Sequence, residues 1–132
     1  MKTILVDAVY CFVEEDESGI FGVFEAMHEM LEGFPNRKIL LTGADDEQFA
    51  KFGLDAMPYE IFTLKHDPEK TDPEYYRTML AHFGLKPEDV VYFEHSPDAV
   101  RSAASVGIVS YHYDDAARDL WALKEFLIRN LG

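Results

Sequence analysis

Five short runs of apolar and β-branched residues punctuate the chain: Thr3–Val6, Lys38–Leu41, Ile61–Leu64, Val90–Phe93 and the more polar Val109–Tyr113. Runs this short, bounded by turn-forming residues, read as strands, and their near-continuous apolar character suits strands covered on both faces. Between them the apolar spacing changes to three and four. Ile20, Phe24, Met27 and Leu31 form one such stripe with Glu25, Glu29 and Glu32 on the other side, which predicts an amphipathic helix. A second helix is expected to begin at Asp72-Pro73, a capping carboxylate before a proline, and to end before Gly84, with Tyr76, Met79, Leu80 and Phe83 inward. Ser96-Pro97-Asp98 and Gly107 bracket a third around the small residues Ala99, Ala103 and Ala104, which permit close packing on a sheet. The last is expected from about Asp115 to Leu131, with Leu120, Trp121, Leu127 and Leu131 inward and Asp114 and Asp115 at its positive end. A shorter helical segment covers Asp45 to Phe52.

Strands alternating with helices through short connections imply right-handed crossovers and a parallel sheet covered on both faces. The expected architecture is a doubly wound, Rossmann-like α/β fold, a five-stranded parallel sheet flanked by helices, forming a single domain over residues 1–132. Ligands of such sheets bind beyond the carboxyl ends of the strands. The residues at those ends are Asp7, then Thr42 and Gly43, then Glu94, His95 and Ser96, with Lys70 just before the helix that follows the third strand. A nucleophilic carboxylate, a hydroxyl, an ammonium and further acidic groups on one rim suit phosphoryl chemistry.

Composition narrows the partners. The formal net charge of −13 repels phosphate backbones and forfeits the counterion release that drives nucleic-acid binding. No apolar run approaches the ~20 residues of a membrane span, and the chain passes from Met1 and Lys2 straight into a strand, so a cytoplasmic protein with no membrane partner is expected. Cys11 is the only cysteine, so no intramolecular disulfide and no cysteine-based zinc site is expected. Its reading on sequence grounds is a small buried hydrophobe.

At the strand-end residues the chain resembles the haloacid dehalogenase superfamily. The stretch KTDPEYYRTMLAHFGLKPEDVVYFEHSPDAVRSAASVG, Lys70 to Gly107, is similar to the superfamily's run from its lysine through a helix to the acidic motif and a small-residue helix. ILLTG, with Thr42, resembles its second motif, and ILVDAVYCF resembles its first, with Asp7 in the nucleophile position. The resemblance implies a catalytic set of Asp7, Thr42 and Lys70, a small phosphorylated ligand, and a divalent metal held by Asp7, the Val9 carbonyl, Glu94 and His95. It also implies a core without a cap, because neither Tyr10–Gly19 nor Gly43–Glu60 leaves room for an inserted cap domain.

Two departures from the pattern change the functional expectation. The second aspartate of the first motif, the general acid/base, is replaced by Val9, and the usual Glu-Asp pair of the fourth motif reads Glu94-His95. Valine carries no proton, and a general acid or base is typically worth 10²–10⁴-fold. The leading expectation is therefore a haloacid dehalogenase-like domain with little or no phosphatase activity and a binding or regulatory role. The alternative is a phosphohydrolase with an aspartyl nucleophile and a metal site altered from magnesium towards a transition metal. A homo-oligomer covering the open site is a further expectation. Lys65 reads as a surface residue, and His28, His66, His82 and His112 show no metal-ligand spacing.

Overall fold

The computed structural model describes all of residues 1–132. Its central sheet has five parallel strands in the order β5-β4-β1-β6-β7: β1 (Thr3–Asp7), β4 (Lys38–Thr42), β5 (Glu60–Thr63), β6 (Val90–Glu94) and β7 (Val109–His112). A separate two-stranded hairpin, β2 (Val13–Glu15) and β3 (Phe21–Val23), follows β1. The helices are α1 (Glu25–Glu32), α2 (Asp46–Lys51), α3 (Pro73–Phe83), α4 (Pro97–Ser105) and α5 (Leu120–Asn130), with single 3-10 turns at Leu54–Ala56 and Pro87–Asp89. No cap domain interrupts this order, and no helix is long and apolar enough to cross a membrane.

Strands β1, β4 and β6 are interior, and every residue of β1 and β6 is buried, as their two-sided apolar runs require. Alternate residues feed two cores. Ile4, Val6, Leu40, Val91 and Phe93 face α1, α5 and the hairpin, while Leu5, Ile39, Leu41, Val90 and Tyr92 face α3 and α4. The strand order reverses between β1 and β6, whose register pairs Val6 with Phe93, so the carboxyl ends of these two strands open side by side.

Helices α3 and α4 start where their capping signals stand. The Asp72 side chain accepts from the Glu74 amide and the Ser96 hydroxyl from the Ala99 amide, each before a proline. Gly84 closes α3 at φ +66°, a left-handed position where a side chain is strained.

The structure corrects two helix boundaries. The stripe beginning at Ile20 is not helical from its start: Phe21–Val23 pairs with Val13–Glu15, and α1 begins only at Glu25. Asp16 closes the hairpin by accepting from the amides of Ser18 and Ile20, and the Phe24 amide is spent on the Phe12 carbonyl, so the backbone groups a helix would need are committed elsewhere. The last helix starts at Leu120 rather than Asp115. Asp114 accepts from the amides of Ala116 and Ala117 in its own turn, Arg118 sits at φ +52°, and Asp119 caps the helix through the Ala122 amide. The later start rotates the inward face onto Leu123 and Leu127, and Trp121 is 73% exposed instead of buried.

Candidate active site

β1 and β6 deliver two carboxylates to the same point. Asp7 is the last residue of β1 and Glu94 the last of β6, and both are almost wholly buried. The chain then turns away from each strand, through Ala8–Phe12 after β1 and through His95-Ser96 after β6, which leaves both side chains facing a depression at the sheet's carboxyl edge.

Two cations bridge the two carboxylates, and they divide the four oxygens between them. Lys70 Nζ donates to Asp7 Oδ1 at 2.7 Å and to Glu94 Oε1 at 2.9 Å. His95 Nδ1 bonds to Asp7 Oδ2 and lies 3.1 Å from Glu94 Oε2. Glu94 Oε2 also accepts from the Ser96 amide at 3.0 Å, and the Tyr92 hydroxyl donates to Glu94 Oε1. Tyr76 extends this buried chain, its hydroxyl 3.1 Å from that of Tyr92. The arrangement satisfies every carboxylate oxygen, which is the condition for keeping two acids out of water.

Burial and then the charge of Glu94 push Asp7 above the usual carboxylate range, with Lys70 and the His95 hydrogen bond pulling it back. Burial presses on Glu94 in the same direction, but Lys70 and the hydrogen bond from His95 outweigh it and hold Glu94 well below that range. Desolvation opposes the charge on Lys70, yet Asp7 and Glu94 overcome it and raise the ammonium well above its ordinary value. Hydrogen bonds to Asp7 and Glu94 raise His95 to about 10, so it is an imidazolium at neutral pH.

The other sequence-predicted residues fall around this quartet. Thr42 ends β4 and lines the depression. Its Oγ1 accepts from the Ala44 amide at 3.2 Å, and its carbonyl accepts from the Tyr75 hydroxyl at 2.7 Å. Val9 also lines the depression and contributes no ionisable group. Tyr10 follows at φ +76°, a conformation uncommon outside glycine, and its ring packs edge-on at 5.4 Å against His95 at the mouth. Lys65 stays outside, paired with Asp46 in solvent.

Two residues belong to the site without having been singled out from sequence. The Cys11 thiol is fully buried and donates to Asp7 Oδ2 at 3.4 Å; burial, then the charges of Asp7 and Glu94, push it well above the usual thiol range. Its position four residues after Asp7 was the available signal, but only the tight turn that brings the Phe12 and Val13 amides back to the Ala8 carbonyl folds Cys11 under the carboxylate. His66, expected to carry no chemistry, lines the opposite rim. There its Nδ1 lies 2.8 Å from Glu69 Oε1 and its Nε2 bonds to Gln48. No spacing rule finds it, because His66 reaches the rim through two consecutive left-handed residues, Lys65 and His66 itself.

The depression holds about 290 Å³. Larger hollows of about 460 Å³ beside the hairpin and about 520 Å³ along α5 are lined by exposed or half-buried side chains and contain no convergent buried groups, so chemistry and not size selects the strand-end site.

No family model and no curated protein matches the chain. Solved structures do. A HAD-family enzyme from Bacteroides thetaiotaomicron, in complex with magnesium and inorganic phosphate, superposes with a TM-score of 0.68 over 85% of this chain and 93% of that one, at 12% identity. A HAD-superfamily hydrolase from Ehrlichia chaffeensis aligns with a TM-score of 0.58 over 90% of this chain and 62% of the other, at 14% identity. A haloacid dehalogenase-like protein of unknown function from Agrobacterium tumefaciens aligns at 0.57 over 82% and 62%, at 17% identity. The five-stranded order, the paired ends of β1 and β6 and these superpositions agree on one statement: the chain has the fold of the haloacid dehalogenase superfamily.

Proposed function

We propose that the strand-end site binds a small phosphorylated ligand and has little or no phosphatase activity, in a binding or regulatory role. One observation carries this reading. His95, an imidazolium, bridges Asp7 and Glu94 at the position where the resembling motif has a metal-binding aspartate. A nucleophilic carboxylate needs a free oxygen. Here Lys70 takes Asp7 Oδ1, while His95 and the Cys11 thiol take Oδ2.

Magnesium, which the fold family implies, fits these residues poorly. It demands near-octahedral oxygen ligation and keeps several waters, whereas the groups facing this point include an imidazole nitrogen and a sulfur. Acid catalysis has no carrier at position 9 either, because Val9 offers only a backbone carbonyl and an alkyl group. What remains for an anion is the third N–H of the Lys70 ammonium and the Thr42 hydroxyl, since His95 Nδ1 is spent on Asp7 and Glu94.

A second reading, hydrolysis of phosphate esters with a stable leaving group, is favoured by the Asp7–Lys70 contact, since an ammonium beside the nucleophile also suits phosphoryl transfer. Hydrolysis of p-nitrophenyl phosphate across magnesium, manganese, cobalt and zinc, with Asp7→Asn as the control, separates the two. The binding reading expects no turnover above background with any metal. Metal-dependent turnover that disappears in Asp7→Asn would replace it with the hydrolase.

A further inference from the structure

We propose that Asp7, Cys11 and His95 form a binding site for zinc or a comparable thiophilic divalent ion, in place of a magnesium site. The proposal rests on the strand-end site being the functional site and names the ion it takes. The Asp7 carboxylate, the Cys11 sulfur and the His95 Nδ1 present one donor atom each, and all three lie within 4.8 Å of one another. A tetrahedral zinc with bonds of about 2.3 Å to sulfur and about 2.0 Å to oxygen and nitrogen needs sulfur–oxygen edges of about 3.5 Å and oxygen–nitrogen edges of about 3.3 Å. Cys11 Sγ and Asp7 Oδ2 already stand 3.4 Å apart. The Asp7–His95 contact is a direct hydrogen bond, so an ion entering there replaces that bond by opening one edge.

The donor set decides the metal class. One sulfur, one imidazole nitrogen and one carboxylate oxygen are the mixed ligands that select zinc or cobalt over magnesium and calcium. The neighbours supply the supporting layer that such ligands need. Lys70 holds the other oxygen of Asp7, and Glu94 Oε2, anchored by the Ser96 amide, stands 3.1 Å from His95 Nδ1, where it loses the ring proton when Nδ1 takes the ion and stays beside the cation as a second carboxylate. Coordination requires the Cys11 thiol and His95 Nδ1 to release their protons to solvent. Asp7 and His95 line the depression and Cys11 is buried beneath Asp7, so a fourth ligand, water or an oxygen of a bound molecule, would come from the depression.

Cobalt makes the site visible without any enzymatic assay. The metal-free protein titrated with Co²⁺ is expected to develop tetrahedral ligand-field absorption together with a thiolate-to-cobalt charge-transfer band, both abolished by zinc and untouched by excess magnesium. Because Cys11 is the only cysteine, that band has one possible source. Cys11→Ser is expected to lose it and to weaken zinc binding at least tenfold, and His95→Ala to weaken zinc binding comparably while circular dichroism confirms that each variant is folded. Absence of the band in the unmodified protein overturns the proposal whatever the variants do, and so does zinc affinity unchanged by Cys11→Ser. The phosphatase assay is independent of this. Magnesium-dependent turnover sinks the binding reading of the site, whereas a missing cobalt band sinks only the zinc site.

Discussion

Two histidines border the same depression, each between two acceptors, and the comparison shows what burial of the acceptors does. His95 bonds to Asp7 and Glu94, whose side chains are 3% and 1% exposed; His66 bonds to Glu69 and Gln48, and Glu69 is 55% exposed. The two rings themselves differ far less, at 29% and 38%. A carboxylate that has lost its water depends on its hydrogen-bond donor, while a carboxylate in water exchanges one partner for another at little cost. The β1–β6 side of the site is therefore a tightly coupled charge network, and the β4–β5 side is an adjustable polar rim.

The sharpest way to break this contrast is to remove Lys70. Lys70→Met leaves Asp7 and Glu94 with Oδ1 and Oε1 deprived of their shared donor, and stability at pH 7 is expected to fall by ~3–5 kcal/mol in urea denaturation. A loss below about 1 kcal/mol would mean that water reaches the two acids and that the network is not closed.

The next effect is on pH dependence. His95 is raised from its ordinary value of 6.5 to about 10 in the folded chain. A raised folded value means that the stabilisation is complete below pH 6.5 and is lost as pH climbs through 10. Comparing pH 6 with pH 10, the unmodified chain should lose ~1.5–3 kcal/mol more than His95→Asn, the range for hydrogen bonds to charged groups. Parallel pH profiles would show that the imidazolium contributes nothing.

On the adjustable rim, His66→Ala should change stability by no more than about 1 kcal/mol, because its partners return to solvent. The smallest effect is expected for Arg101→Ala, which breaks a wholly exposed i,i+3 pair with Asp98 and should stay within about 0.5 kcal/mol. A His66 loss as large as that of Lys70 would erase the difference between the two sides.

Much of the molecule is legible from residue order because the governing physics is local. Asp72-Pro73 and Ser96-Pro97 cap α3 and α4 in any context that lets a helix follow, and the runs around Leu5, Leu40 and Val91 can only be strands covered on both faces. Asp7, Thr42, Lys70, Glu94 and His95 were located for the same reason: they stand at or just beyond strand ends, or before a helix, of a fold whose ligand edge is fixed by topology.

Tertiary structure decided the rest, where a residue's role depends on a partner far along the chain. The stripe through Ile20 became a hairpin because Phe21–Val23 found Val13–Glu15, and Trp121 turned outward because Arg118 is left-handed and delays α5. The order of residues set Cys11 four places after Asp7 without showing that its thiol reaches the carboxylate, and it gave no signal for His66. A turn beneath Asp7 and two consecutive left-handed residues before Asp67 made both of them part of the site. Local order fixes which side chains reach the ligand edge of the sheet; only the assembled fold decides which oxygen each of them holds, because desolvation and hydrogen-bond geometry are set by contacts between residues as distant as Asp7 and His95.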